Sequence, residues 1–433
     1  MVIKVDPKVM SKTFLRIPGL LCFILFIGQP LIAQQRSLVV YSLHDALVTA
    51  RTNNLVLKTQ YYDILGGQAD VTTARLRPNP VLNNQTLLLA NSKNFPENTS
   101  WSDARNRQVW WQLTKSFQLP AQRKYKIETA GKNYELLHKN FAEVERNLLF
   151  NVANVWLKVW TIEKQREVIQ TAKINTDTLV RINEVRLRNQ VISQTDLLRT
   201  RLLAERYQIQ LNTIRQDLRD SRNDLRLLLG VHDSLRIDTA DTFMPPTAVR
   251  FDTLLAYALQ HRADLQSAHT AVDVSTSNIK LQRSMAWPQP ELGVIWNPQN
   301  TVRYAGFFGT IELPLFSRNQ GEIQRSTILR QQAEQSIAAI EAQITTEITT
   351  AYNSFVTQQH NVQRFADILV QSQTILDNVR YAYLRGGTTI IDFLEAQQSW
   401  LDTQQQYFDA LQQYQQSYIE LLFVSGQINA LAQ

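Results

Sequence analysis

Residues 132–229 read KNYELLHKNFAEVERNLLFNVANVWLKVWTIEKQREVIQTAKINTDTLVRINEVRLRNQVISQTDLLRTRLLAERYQIQLNTIRQDLRDSRNDLRLLL, 98 residues with neither Gly nor Pro. Two more such stretches follow, Glu322–Arg385 with 64 residues and Thr388–Ser425 with 38. All are rich in Leu, Ala, Gln, Glu and Arg, which favour helix. Their apolar residues recur every seventh position: Phe141, Leu148, Val155, Ile162 and Ile169 in the first, and Ile348, Phe355, Val362, Leu369, Leu376 and Tyr383 in the second. A strict period of seven predicts long, supercoiled helices packed on neighbours. A helix from Ala121 to about Asn189 would be ~100 Å long. That length fits a rod or a tube and excludes an ordinary globular domain.

Between the helices lie two segments bracketed by prolines, Pro80–Pro120 and Pro290–Pro314. In the first, Trp111, Leu113, Phe117 and Leu119 alternate with Gln112, Thr114, Ser116 and Gln118. In the second, Phe307, Gly309, Ile311 and Leu313 alternate with Gly306, Thr310 and Glu312, with Phe308 out of step. Period two predicts two strand pairs, about 81–91 with 108–119 and 291–296 with 302–313. Their length suits membrane strands, and Trp101, Trp110, Trp111, Trp287 and Trp296 suit interfacial girdles. Local pattern alone leaves a soluble hairpin packed on helices equally open.

The two halves are copies. Ser193-Gln194-Thr195-Asp196-Leu197-Leu198 matches Thr389-Ile390-Ile391-Asp392-Phe393-Leu394 at an offset of 196, and Leu227–Gly230 matches Phe423–Gly426 at the same offset. Pro78-Asn79-Pro80 matches Pro288-Gln289-Pro290, and Leu119-Pro120 matches Leu313-Pro314. The expected organisation is a signal peptide at 1–33, one repeat at 34–230, a linker or equatorial segment at 231–250 around Pro245-Pro246, and a second repeat at 251–433. Each repeat reads helix, strand, strand, very long helix, tight turn, helix, a mainly α unit with a small β part. Four strands cannot close a barrel, and open edges are not tolerated in lipid. If these are membrane strands, several copies must share one barrel.

The 433 residues are 44% hydrophobic with a single cysteine, which excludes disorder and a disulfide framework. Lys4, Lys8, Lys12 and Arg16 precede the apolar run Ile17–Ile27, with Leu31-Ile32-Ala33 behind it, the pattern of a secretory signal cleaved after Ala33. Removing its four positive charges and Asp6 takes the net charge from +7 to +4, too mild for a nucleic-acid partner. Cys22 lies inside the apolar run with flanks that do not suit lipid attachment. Without it there is no thiolate catalysis or Cys-ligated metal. No later run of apolar residues is long enough for a membrane helix.

At this point the sequence resembles the TolC-type outer-membrane efflux factors of Gram-negative bacteria, over essentially the whole chain after the signal. The strongest pieces are Tyr383-Leu384-Arg385-Gly386-Gly387-Thr388-Thr389-Ile390-Ile391-Asp392-Phe393-Leu394-Glu395-Ala396-Gln397 and the duplicated topology. Arg77-Pro78-Asn79-Pro80 and Leu313–Gly321 look like the heavy-metal (cation efflux) branch. The resemblance implies a homotrimer in which a 12-strand β-barrel in outer-membrane lipid continues as a 12-helix periplasmic α-barrel. It also implies docking to a periplasmic adaptor (membrane fusion) protein and an inner-membrane pump of the RND type, with the chain a passive duct rather than an enzyme, free of cofactors. Metal cations are the expected cargo. Organic compounds, a type I secretion role and a periplasmic coiled-coil adaptor are the alternatives.

Both tight turns carry capping boxes on their own chemistry, Ser193 with Asp196 and Thr389 with Asp392. Three-fold symmetry would turn such tip residues into rings, and carboxylate rings select cations. By resemblance Asp392 is the first acidic residue of the periplasmic gate, and Glu395 stands where the second would be Asp. Asp196 and Tyr383 match a hydrogen-bonding latch between helical hairpins. Thr388 replaces the family's Arg, so one latch bond is expected to be missing, and Gln190 occupies the first repeat's glycine position. Gly386 and Gly387 are expected to form the turn, and Gly386, Gly387, Thr388 and Gln190 together the tip that contacts the adaptor. The six histidines show no i, i+4 pairing and only Met244 and Met285 follow the signal, so no metal site is expected. No P-loop, Rossmann glycine pattern or nucleophile elbow is present.

Overall fold

The computed structural model describes residues 39–241, 243–246, 248–299 and 302–433. The expected signal peptide, 1–33, lies outside the described residues. The chain runs β1 (Val39–Tyr41), α1 (Leu43–Asn53), α2 (Leu55–Arg75), β2 (Val81–Leu88), β3 (Arg107–Ser116), α3 (Pro120–Arg188) and α4 (Gln194–Leu229). The second half runs β4 (Leu235–Ile237), α5 (Phe251–His261), α6 (Ala263–Met285), β5 (Glu291–Gln299), β6 (Val302–Thr310), α7 (Gln320–Leu384) and α8 (Ile390–Val424). Helix α3 has 69 residues and α7 has 65, each ~100 Å long. No described helix is both long and apolar enough to cross a membrane.

The helical part of each repeat needs correction. Each repeat opens with two helices rather than one, because the chain breaks at Asn54 (ψ 129°) and at Arg262 (ψ 131°). Neither break has a Gly or Pro to announce it. Asn54 caps α2 by accepting from the Leu57 amide, while its Nδ2 donates to the Leu228 carbonyl at 2.8 Å. Arg262 donates to the Val424 carbonyl at 3.1 Å, 196 residues on from Leu228. In both repeats the break thus holds the orphan carbonyls at the end of the returning helix. The linker or equatorial segment, 231–250, contains β4, which pairs in parallel with β1. Val39, Val40 and Tyr41 face Leu235, Arg236 and Ile237, again 196 apart. Three-residue strands are too short for a period to register in sequence.

The largest core cluster lies where α1, α3, α4 and α8 meet, around Leu47, Leu149, Trp156, Leu225 and Ile419. Trp156 is buried and its indole N–H donates to the Tyr41 carbonyl at 3.1 Å, tying β1 to α3. A second cluster packs α5, α7 and α8 around Ile344, Ile348 and Phe355.

The four longer strands form one antiparallel sheet in the order β2-β3-β5-β6. They are shifted or trimmed relative to the alternating patterns. β2 stops at Leu88 because Asn91 caps a 3-10 turn by accepting from the Lys93 amide. β3 stops at Ser116 before Leu119-Pro120 opens α3, and β6 at Thr310. β5 instead extends to Gln299, with Pro298 in register opposite Arg303.

Candidate functional site

The two tight turns, at the ends of the long helices, are built alike. After α7, the Gly387 amide donates to the Ala382 carbonyl at 2.9 Å and the Gly386 amide to Tyr383 at 3.1 Å. After α3, Val191 donates to Arg186 and Gln190 to Leu187, each at 2.9 Å. Both are Schellman turns, which need a left-handed residue. Gly386 supplies it at φ 77°, and Gln190 is driven to φ 60° despite its side chain. The capping boxes then start α4 and α8: Asp196 accepts from the Ser193 amide and hydroxyl, and Asp392 from those of Thr389.

Asp392 is exposed and gains a further bond. Its Oδ2 accepts from the Thr388 hydroxyl at 2.7 Å. The Thr388 hydroxyl, followed by the Thr389 hydroxyl and amide, holds the Asp392 carboxyl below the usual carboxylate range. Thr388 therefore supports the charge of the neighbouring acid. Glu395 is exposed one turn on and lines a groove of about 810 Å³ between α4 and α8 with Arg199, Leu202, Arg206, Ile391 and Asp402. Gly387 approaches the Ala382 backbone, whereas Gly386 has open space around it.

The expected contact between Asp196 and Tyr383 is not formed within the chain, because each is engaged elsewhere. The Asp196 carboxylate closes its own capping box. The Tyr383 hydroxyl donates to Asn183 Oδ1 at 2.9 Å, Asn183 Nδ2 donates to Thr200 Oγ1 at 3.0 Å, and Thr200 donates to the Asp196 main-chain carbonyl at 2.9 Å. Nearby, Gln397 Nε2 donates to Thr176 Oγ1 at 2.8 Å. The Tyr383 ring stacks on Phe393 at 5.2 Å, and the Arg186 guanidinium sits 4.8 Å from its centroid. The two hairpins are thus joined by uncharged, buried bonds. Sequence reasoning missed Asn183, Thr176 and Thr200, although a signal was present: Thr176 and Asn183 continue the series Phe141…Ile169 at spacing seven. A polar residue at a core heptad position is costly without a partner and sets register when it has one.

The sheet presents two unlike faces. On one, Leu82, Leu113, Val294 and Phe307 form a row across all four strands, flanked by Trp111, Trp296 and Ala305. Phe307 is 91% exposed and Leu82 64%. The opposite face carries Asn83, Gln85, Gln112, Thr114 and Asn297, interspersed with Trp110, Ile295 and Tyr304. Phe308 falls there because its ring covers Gly293, where a Cβ would lie 2.5 Å from ring atoms. That close packing explains the break in alternation. Edge strands β2 and β6 each have one unpaired side.

The sequence model of the outer membrane efflux protein family matches residues 46–231 and 254–427. Among solved structures the chain is similar to CusC, at 20% identity over 90% of this chain and 92% of that one, with a TM-score of 0.73. It is also similar to the open-state MtrE outer membrane channel of Neisseria gonorrhoeae, at 16% identity over 90% of each chain and a TM-score of 0.73. The outer membrane protein VceC of Vibrio cholerae matches at 16% identity over 89% of this chain and 96% of that one, with a TM-score of 0.69. No curated protein sequence matches the chain.

Proposed function

Because the chain belongs to the outer membrane efflux protein family, we propose that it is the exit duct of a tripartite efflux assembly in a Gram-negative outer membrane. The observation that carries this reading is a four-stranded sheet with an exposed apolar face and two unpaired edges, continuous with helices ~100 Å long. Three copies would pair β6 of one with β2 of the next into twelve strands and leave no edge in lipid. The long helices α3, α4, α7 and α8 of three copies would extend this into a twelve-helix tube through the periplasm. At its far end the turns around Gln190 and Gly386 would meet a periplasmic adaptor, which links the duct to an inner-membrane pump of the RND type. The duct is passive, and energy enters at the pump.

We assign metal cations as the cargo. Exposed Asp392, held ionised by Thr388 and Thr389, and Glu395 one turn on support a cation-favouring mouth. Arg77–Pro80 and Leu313–Gly321 support the same branch. The test is a deletion strain with complementation, scored for growth in divalent metals, copper and silver against bile salts, dyes and antibiotics. Selective metal sensitivity is expected. Sensitivity to organic compounds with normal metal tolerance would keep the duct and discard the metal cargo.

A further inference from the structure

The four long strands carry three Lys or Arg residues, Arg107, Lys115 and Arg303, and all three share the parity of the apolar face. Arg107 and Lys115 lie on the same side of β3 as Val109, Trp111 and Leu113, and Arg303 on the same side of β6 as Ala305 and Phe307. The one carboxylate on these strands, Glu291, lies on the opposite face and accepts from the Ser116 hydroxyl at 2.7 Å. Cations confined to an exposed apolar face reverse the usual placement, since the polar face is the cheaper place for a charge.

Their positions along the strands explain the placement. The cations stand at the ends of the face and never in its middle. Eight residues separate Arg107 from Lys115, about 26 Å along the strand at 3.3 Å per residue and about 20 Å of height at the usual tilt of a barrel strand, most of the roughly 25 Å apolar band. Arg107 and Arg303 share the loop end, on strands separated only by β5. Both are exposed and, among the described residues, outside any ion pair. The loop acid Asp103 is held by the Arg105 amide and guanidinium, and Arg107 adds a weaker electrostatic pull. Trp111 and Trp296 pair four residues in from Arg107, midway between the two charged ends.

We propose that Arg107 and Arg303 form a binding site for the headgroup phosphate of an anionic lipid in the leaflet at the loop end of the sheet, with Lys115 marking the opposite leaflet. A guanidinium presents paired donors that match phosphate oxygens, and its stem lies along apolar surface while the head reaches outward. The site rests on the membrane reading of the sheet and adds to it a lipid class and two residues.

The test is native mass spectrometry of the full-length oligomer in detergent, titrated with phosphatidylglycerol and with phosphatidylcholine. Wild type should prefer phosphatidylglycerol, and the Arg107→Gln/Arg303→Gln variant should bind it on the order of tenfold more weakly, with phosphatidylcholine binding unchanged. If that variant fails to assemble, Arg107→Lys/Arg303→Lys keeps the charge and loses the paired donors, and an intermediate loss is expected. Equal phosphatidylglycerol binding by wild type and variant overturns the site. So does full displacement by millimolar inorganic phosphate, which would mean a free-anion site. Insertion of wild type into vesicles and its conductance are measured alongside. A conducting wild type without lipid preference removes this site alone, whereas a wild type that never inserts removes the barrel reading first.

Discussion

Thr388 and Asp392 show how a residue's meaning depends on its neighbours. Read against the family pattern, Thr388 is a lost arginine, yet its hydroxyl donates to the Asp392 carboxylate at 2.7 Å. A depressed carboxyl keeps its charge as pH falls past the ordinary range. Asp392→Asn should therefore weaken block by trivalent cations in bilayer recordings, and Thr388→Val should shift the acid midpoint of that block to higher pH. Unchanged block in an intact Asp392→Asn channel would remove Asp392 from the entrance. At Tyr383 the relevant property is burial: Asn183 is fully buried and Tyr383 supplies its acceptor's donor. Tyr383→Phe leaves that oxygen unpaired and should cost about 1–3 kcal/mol, read as a lower denaturation midpoint. Adding Asn183→Leu should recover part of the loss, since an unpaired polar atom costs more than an apolar pair.

Among the elements, the turns and helix breaks limit stability. Gln190 sits at φ 60° and is exposed, so its left-handed backbone has no packing to offset it. Gln190→Gly should stabilise the α3–α4 turn by about 1 kcal/mol, seen as slower amide exchange there. Gly386→Ala should do the reverse with no steric clash, because nothing lies near its Cβ position. The break at Arg262 carries a buried ion cluster. Arg262, 2% exposed, donates to Asp264, Glu347 and the Val424 carbonyl. Burial raises the Asp264 carboxyl, but the Arg262 bonds outweigh it and the net shift is downward. A lowered carboxyl stabilises the fold above its unfolded value near 3.9 and loses that stabilisation as pH falls through the folded value. Arg262→Met should cost roughly 3–5 kcal/mol by stranding two acids and should flatten the acid limb of a stability-versus-pH curve.

At the scale of the whole molecule, the sheet's two faces make opposite demands. Phe307 lies in the apolar row and Ile295 on the polar face, in adjacent strands of one register. Phe307→Lys should cost insertion free energy, up to about 2–4 kcal/mol, the value for a cation at the membrane midplane, reducing heat-resistant oligomer recovered from membranes. Ile295→Lys, facing the interior of a closed barrel, should be tolerated. Equal tolerance at both sites would mean that the apolar row faces protein or water instead of lipid.

The helices were legible in the sequence because their signal is local and repeated: the period of seven and the absence of Gly and Pro over 98 residues lead directly to α3 and α4. The duplication was legible because short motifs recur at a fixed offset of 196, and both capping boxes because each rests on residues three positions apart. Three features were decided only by tertiary structure. The helix breaks at Asn54 and Arg262 follow from side chains that reach carbonyls more than 150 residues away. The pairing of β1 with β4 joins strands too short to have a period. The partner of Tyr383 is Asn183 because α8 packs against both α3 and α7 and buries the two side chains together, whereas Asp196 spends its carboxylate on its own helix start. A local pattern fixes which element forms, but the distant side chain an element meets depends on packing between helices whose contacts no short window of sequence contains.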